Sequence, residues 1–353
     1  MSFEIGVMTF GELTADPETG KMPSPQQRAH EMIELAEVAD QVGLDVFAVG
    51  EHHRSDFVGS APSILLAAAA ERTKRLAVSS SVTVLSSEDP VRVWEQYATI
   101  DLLSGGRAEI IAGRGSYTES FPLFGYDLND YADLFREKLD LLLQIRARNP
   151  LSWAGRFRPE LHDADIAPRP ESGTIPIWVA VGGSPASAVS TGRLGLPIAL
   201  AFLLGPITSQ VQNVALYRQA AAKAGHDAAT LPVSINTHGY VGRTSQAARE
   251  TMYPYFAEGM RENNHQRGNG LRLPRPAFDA QATPAGSLLV GSVQEIIDKL
   301  MTYHELYGAT RALLQMGFGG MPQKQHLQAV ELLGTEVAPV MRREIGARQA
   351  SAA

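Results

Sequence analysis

Short runs rich in Val, Ile, Leu and Ala alternate, almost from end to end, with longer stretches whose apolar residues recur every three or four positions. That alternation is the pattern of βα units and a parallel sheet. Strands are predicted at Phe3 to Thr9, Leu44 to Gly50, Leu76 to Thr83 and Arg107 to Gly113, then at Ile177 to Val181, Pro197 to Phe202, Val233 to Val241 and Thr310 to Met316. This is the number that closes a (β/α)8 barrel. The first helix is predicted over Pro25 to Val42, where Met32, Leu35, Ala36, Val38 and Ala39 share a face and Gly43 follows as a stop. Further helices are predicted over Pro62 to Arg72, Val91 to Leu103, Tyr131 to Arg148, Ser209 to Ala224, Val293 to Tyr307 and Gln323 to Arg343. Two stretches break the rhythm, 149–174 and 258–291, and long irregular segments in a compact domain commonly serve as lids or binding loops. With no linker or repeat between them, residues 1–353 read as a single barrel domain carrying two irregular insertions.

Composition narrows the partners. Apolar residues are 44% and charged residues 20% of the chain, ordinary for a folded protein. The net charge of -7 supplies no basic field for a nucleic acid. There is no cysteine, which removes disulfides, thiolate metal sites and a cysteine nucleophile. No apolar run approaches the ~20 residues of a membrane span. Met1 to Phe10 lack the basic and apolar regions of a secretory signal, so the expected location is the cytoplasm.

Four local patterns could carry chemistry. Gly50-Glu51-His52-His53-Arg54 follows the second strand and therefore sits on the rim where barrel enzymes work. Adjacent residues of an extended segment point apart, so His52 and His53 are poorly placed to chelate one metal, and no metal site is assigned. A polar turn with one buried imidazole is the plainer alternative. Ala112-Gly113-Arg114-Gly115-Ser116-Tyr117, after the fourth strand, offers a cation beside an open backbone, suited to an anion or simply to a tight turn. Val181-Gly182-Gly183-Ser184-Pro185-Ala186-Ser187 runs a strand into a helix start, which holds phosphate well or is merely a cap. The dinucleotide pattern Gly-x-Gly-x-x-Gly is absent here. Val78-Ser79-Ser80-Ser81-Val82-Thr83 is a strand of small residues that leaves room for a flat ring or fills a narrow layer.

Taken together, these residues resemble the bacterial luciferase family of flavin-dependent monooxygenases. Glu51-His52-His53, Thr73-Lys74-Arg75-Leu76, Asp89-Pro90-Val91-Arg92, Leu103-Ser104-Gly105-Gly106-Arg107 with Arg114-Gly115, Gly195-Leu196-Pro197 and Val290-Gly291-Ser292 occur in the family's order over nearly the whole chain. The resemblance implies a luciferase-like TIM barrel that binds FMN, received as FMNH2 from a separate flavin reductase, and uses O2 to oxidise a small organic substrate. It implies His52 as general acid/base, with Glu51 orienting it or lining the site. Arg114 would contact the flavin phosphate, and Val181, Gly182, Gly183, Ser184 and Ser187 would hold the rest of it. It further implies a non-proline cis bond at Ser81–Val82 under the flavin ring, Phe202 flanking that ring, Met8 near it, and a homodimer formed through the helices near Pro62 and Val91. Gly113 replaces a cysteine of the luciferase α chain, and the second irregular stretch is shorter than the luciferase lid, which points away from light emission. Hydride transfer with a deazaflavin such as F420, a flavin-binding barrel without turnover, and a metal-dependent hydrolase are the competing readings.

Overall fold

The computed structural model describes residues 3–266 and 271–352. Eight parallel strands close on themselves: β1 Glu4–Thr9, β2 Val46–Val49, β3 Ala77–Ser80, β4 Ala108–Gly113, β5 Ile177–Val181, β6 Ile198–Phe202, β7 Val233–Gly242 and β8 Arg311–Gln315. Each pairs with the next in order around the ring, and β8 pairs with both β7 and β1, which seals the barrel where the last strand meets the first. Their side chains are buried on both faces, which is why they read as continuous apolar runs rather than as alternating ones.

The helices of the outer layer are α1 Pro25–Gln41, α2 Pro62–Arg72, α3 Pro90–Ser104, α4 Tyr131–Ala147, α5 Pro185–Arg193, α6 Val211–Lys223, α7 Val293–Tyr307 and α8 Gln323–Leu332. Local chemistry sets their starts. Ser24 and Asp89 accept amide hydrogens of the first turns of α1 and α3. Ser292 and Glu295 form a reciprocal capping box on α7.

Period-2 alternation divides the strand residues into two populations. Ile5, Val7, Phe47, Val49, Ile110, Ala112, Val179, Leu200 and Leu314 face outward into one core shared with the helices. Met8, Val46, Ala48, Ile111, Trp178, Ala199 and Leu313 fill the barrel interior. At the interior's lower end Arg311, almost wholly buried, donates to Glu4 Oε2 at 2.7 Å and to both carboxylate oxygens of Glu109 at 2.6 and 3.0 Å. Its guanidinium also lies 4.3 Å from the centre of the Trp178 ring.

The structure corrects the two irregular stretches. Segment 149–174 contains an antiparallel hairpin, Leu151–Trp153 with Leu161–Ala164. Segment 258–291 holds the end of a long helix, Ser245–Gln266, then a short helix Arg275–Ala282 and a strand Leu289–Ser292 that adds to the edge of β7. Polar composition concealed these elements because they are half-exposed and interrupted by prolines, including Pro254 inside the helix itself. The last predicted helix is also divided: α8 passes through a wider turn at Leu333–Val337 into Ala338–Ala352. Gly334 in that turn sits so close to Val42 that a Cβ would come within 2.3 Å of its side chain.

Removing Arg311 leaves two carboxylates facing one another at the closed end of the barrel, without the cation that brings them together. Arg311→Ala is expected to lower stability by about 3–5 kcal/mol. Urea unfolding followed by circular dichroism reads this as a lower midpoint at an unchanged slope.

Candidate active site

The C-terminal mouth of the barrel is where βα loops converge, and His52 stands at its centre. Gly50 directly follows β2, and a Cβ there would lie 1.9 Å from the Phe10 ring, so only glycine lets Phe10 close over this strand. Two residues on, His52 is enclosed by Phe10, Phe57 and Tyr117 at ring-centre distances of 5.0, 4.4 and 4.9 Å. Its Nδ1 lies 3.1 Å from Glu119 Oε1. That bond fixes the ring, which lines the cavity at the mouth. Burial pushes the Glu119 carboxyl up, but the hydrogen bond from His52, its own backbone amide and the charges of His52 and Arg54 outweigh burial and hold it below the usual carboxylate range.

The cavity above the barrel floor has a volume of about 110 Å³ and is lined by Phe10, Phe57, Leu203, Met260 and Phe318 together with polar Glu12, His52, Ser116, Tyr117, His238, Asn263 and Gln315. Burial lowers His238 to about 4, so the imidazole is neutral near pH 7. A roomier groove of about 500 Å³ opens at the opposite end of the barrel. Its Arg107 and Arg342 are already engaged with backbone carbonyls and Asp45, so it presents structural cations rather than free ones.

A second cluster lies beside the mouth at the start of α5. Arg114 Nη2 donates to Ser187 Oγ at 2.9 Å. Ser184 caps the helix by accepting from the Ser187 amide. Gly183 has φ +115, and neither it nor Gly182 has any atom within 4 Å of where a Cβ would stand. A guanidinium, a hydroxyl and a helix N-terminus thus converge on open backbone, which is the donor set a phosphate requires.

Residues 3–310 match the family model described as luciferase-like monooxygenase. The chain belongs to the luciferase-like monooxygenase family. It is similar to the oxygenase component of the flavin-dependent trigonelline monooxygenase of Acinetobacter baylyi, 24% identical over 84% of each chain. In fold it is similar to the oxygenating constituent of 3,6-diketocamphane monooxygenase of Pseudomonas putida, solved with FMN, at TM-score 0.77 and 20% identity over 96% of this chain and 99% of that one. It is similar as well to an F420-dependent secondary alcohol dehydrogenase, at TM-score 0.74 and 16% identity over 96% and 99%.

In this luciferase-like barrel the residues expected at the mouth separate into three groups. Met8, Ser81 and Val82 line the interior: Ser81 Oγ lies 3.2 Å from Met8 Sδ, Val82 packs on the inner cluster, and the Ser81–Val82 bond is cis as the resemblance implied. Arg114, Gly182, Gly183, Ser184 and Ser187 assemble at α5, as described.

Three others fall elsewhere. Glu51 does not touch His52. One of its oxygens lies 2.8 Å from His53 Nε2, and the other accepts the Val84 amide at 2.9 Å, which ties β2 to the segment just beyond the cis bond. Phe202 faces outward, edge-on to Tyr303 and Tyr307 of α7, because its strand parity is opposite to that of Ala199. The Val181 side chain also belongs to the outer core, so what it could offer a ligand is its main chain. His52 and His53 point to different partners, Glu119 and Glu51, and no group of three His, Asp or Glu among the described residues could hold a metal ion.

Glu12, Glu119, His238, Asn263 and Gln315 were not found from the sequence, and Tyr117 was singled out only as the end of the Arg114 motif, without a role. Parity held the signal for two of them: Glu12 continues the inward series of Met8 and Phe10, and Gln315 continues that of Arg311 and Leu313. The Leu203 that lines the cavity likewise continues Ala199 and Ala201.

His53 is raised above its usual value chiefly by the hydrogen bond to Glu51, with burial opposing. A raised imidazole contributes stability that is complete below its unfolded value, about 6.5, and is lost as pH rises through the higher folded value. Thermal midpoints of the wild-type protein are therefore expected to fall across that window, and Glu51→Gln to flatten the fall while lowering the plateau on its acid side. An unchanged slope in Glu51→Gln would refute the pairing.

Proposed function

We propose that this protein is an FMN-dependent monooxygenase that takes FMNH2 from a separate flavin reductase and uses O2 to oxidise a small organic substrate. The observation that carries this reading is the joint placement of an Arg114–Ser187 anion site and a His52 fixed by Glu119 around a single mouth floored by Met8, Ser81 and Val82. The residues present fit the cofactor. The phosphate would be held by Arg114, Ser187, Ser184 and the backbone of Gly182 and Gly183, and the flat ring by the small residues of β3. When bound, reduced flavin supplies the electrons for activating O2.

His52 is then the proton carrier. Its Nδ1 is held by Glu119 and its ring lines the cavity, so the ring can pass a proton without changing position. Phe10, Phe57 and Tyr117 exclude water around it. Glu51 acts at one remove, by holding the backbone beyond the cis bond. Apolar Ile64, Leu102 and Leu103, exposed on α2 and α3, support pairing of two copies through these helices. A second reading, hydride transfer with a deazaflavin, is favoured by the likeness in fold to the F420-dependent dehydrogenase.

Mixing the protein with FMNH2 and O2 and following flavin absorbance and oxygen uptake tests the assignment. Arg114→Ala is expected to weaken FMN binding about 10–100-fold, the range for a hydrogen bond to a charged group. His52→Ala is expected to spare binding and slow oxygenation about 10²–10⁴-fold. Equal loss of flavin affinity in both variants would refute the division of roles, and binding of F420 in place of FMN would replace the oxygenase by the second reading.

A further inference from the structure

Arg114 is held in place without an acid. Among the described residues its guanidinium meets no carboxylate: Nη2 donates to Ser187 Oγ, and its central carbon lies 5.3 Å from the centre of the Tyr131 ring. Tyr131 opens α4, and its hydroxyl donates to the Gly115 carbonyl at 2.7 Å. The ring is itself fixed, because Phe121, wholly buried, stacks on it at 5.4 Å with the two planes 28° apart.

The main chain around Arg114 is seated from the other direction. Residues Thr83–Val84, just beyond the cis bond, pair in parallel with Ala112–Gly113. A Cβ on Gly113 would come within 2.5 Å of the Val82 side chain, and one on Gly115 within 2.9 Å of that of Val84. Gly115 also has φ +80, a conformation that glycine adopts without strain. The two glycines let the loop lie flat on Val82 and Val84, and the Tyr131 hydroxyl closes it by taking the Gly115 carbonyl.

We propose that Tyr131 is the positioning residue of the anion site, carrying the Arg114 guanidinium on its ring face and fixing the next peptide with its hydroxyl. The inference rests on the reading of this cluster as the cofactor's phosphate site. The choice of a ring over an acid has a physical reason. A carboxylate would hold the guanidinium through its N–H fork and cancel its charge, so a phosphate would have to displace it. An aromatic face attracts the cation through its quadrupole. It takes none of the N–H groups and leaves the charge intact. Apart from the one given to Ser187, those groups remain for ligand oxygens.

Reduced FMN and reduced riboflavin, titrated anaerobically into the full-length protein, differ only in the phosphate, so their affinity ratio isolates this site. The unaltered protein is expected to favour FMN by about tenfold or more. Tyr131→Leu should cut that preference by about tenfold while leaving riboflavin affinity unchanged, and Tyr131→Phe, which keeps the ring, should retain it to within about threefold. Tyr131→Glu should abolish it by pairing with Arg114. Circular dichroism checks the fold of each variant. An undiminished preference in folded Tyr131→Leu, a loss of riboflavin affinity in step with FMN, or Tyr131→Phe as weak as Tyr131→Leu would overturn the proposal. Inorganic phosphate, read by the shift it causes in the thermal midpoint, keeps the two readings apart. A shift that Tyr131→Leu loses, in a protein that binds neither flavin, sustains this inference and defeats the cofactor assignment. No phosphate shift together with no FMN preference overturns the inference.

Discussion

The barrel depends on one buried cation. Arg311 stands on the strand that closes the ring, between β7 and β1, and reaches across the interior to Glu109 on β4 while holding Glu4 on β1. Three strands far apart in the chain are thereby tied at a single level, and Trp178 covers the guanidinium from β5. A low-dielectric interior makes such a cluster unforgiving, because each charge is tolerable only while the others are present. Above it the interior narrows to small and medium apolar residues, and above those the polar mouth begins. Ligand chemistry at one end therefore rests on an ion cluster that seals the other.

Much of this architecture was legible in the sequence because the signals were local. Every barrel strand was anticipated to within two or three residues, since a strand buried on both faces is an uninterrupted apolar run between turn residues. Pro62, Ser292 and Gly43 marked helix ends through capping chemistry that needs no tertiary context. The long helix Ser245–Gln266 was missed for the opposite reason: its buried face is narrow, and Pro254 and a polar C-terminal half dilute the period that would betray it.

The site was legible in a more uneven way. Motifs located His52, Arg114 and the Gly182–Gly183 turn, because each follows directly on a strand. What they could not supply was pairing between loops. His52 meets Glu119 across 67 positions and Arg114 meets Ser187 across 73. Only a folded barrel brings such residues together, and adjacency in sequence misled in the case of Glu51, which is next to His52 in the chain but bonded to His53. Phe202 and Val181 show a simpler limit. A motif aligned by position ignores the side of the strand, and counting parity from Trp178 on β5 and from Ala199 on β6 turns the Val181 and Phe202 side chains outward.

The bonds made by Glu51 bear on how such enzymes vary. A carboxylate that holds the main chain beneath a reaction, without meeting the reactants, is under a different constraint from one that does. Its replacement would be judged by geometry rather than by acidity, so drift at this position should accept any side chain that can bridge the same two partners. A survey of activity alone would place it beside His52 and credit it with chemistry. The distinction lies in what survives the change: the identity of the reaction, or the shape of the floor on which it takes place.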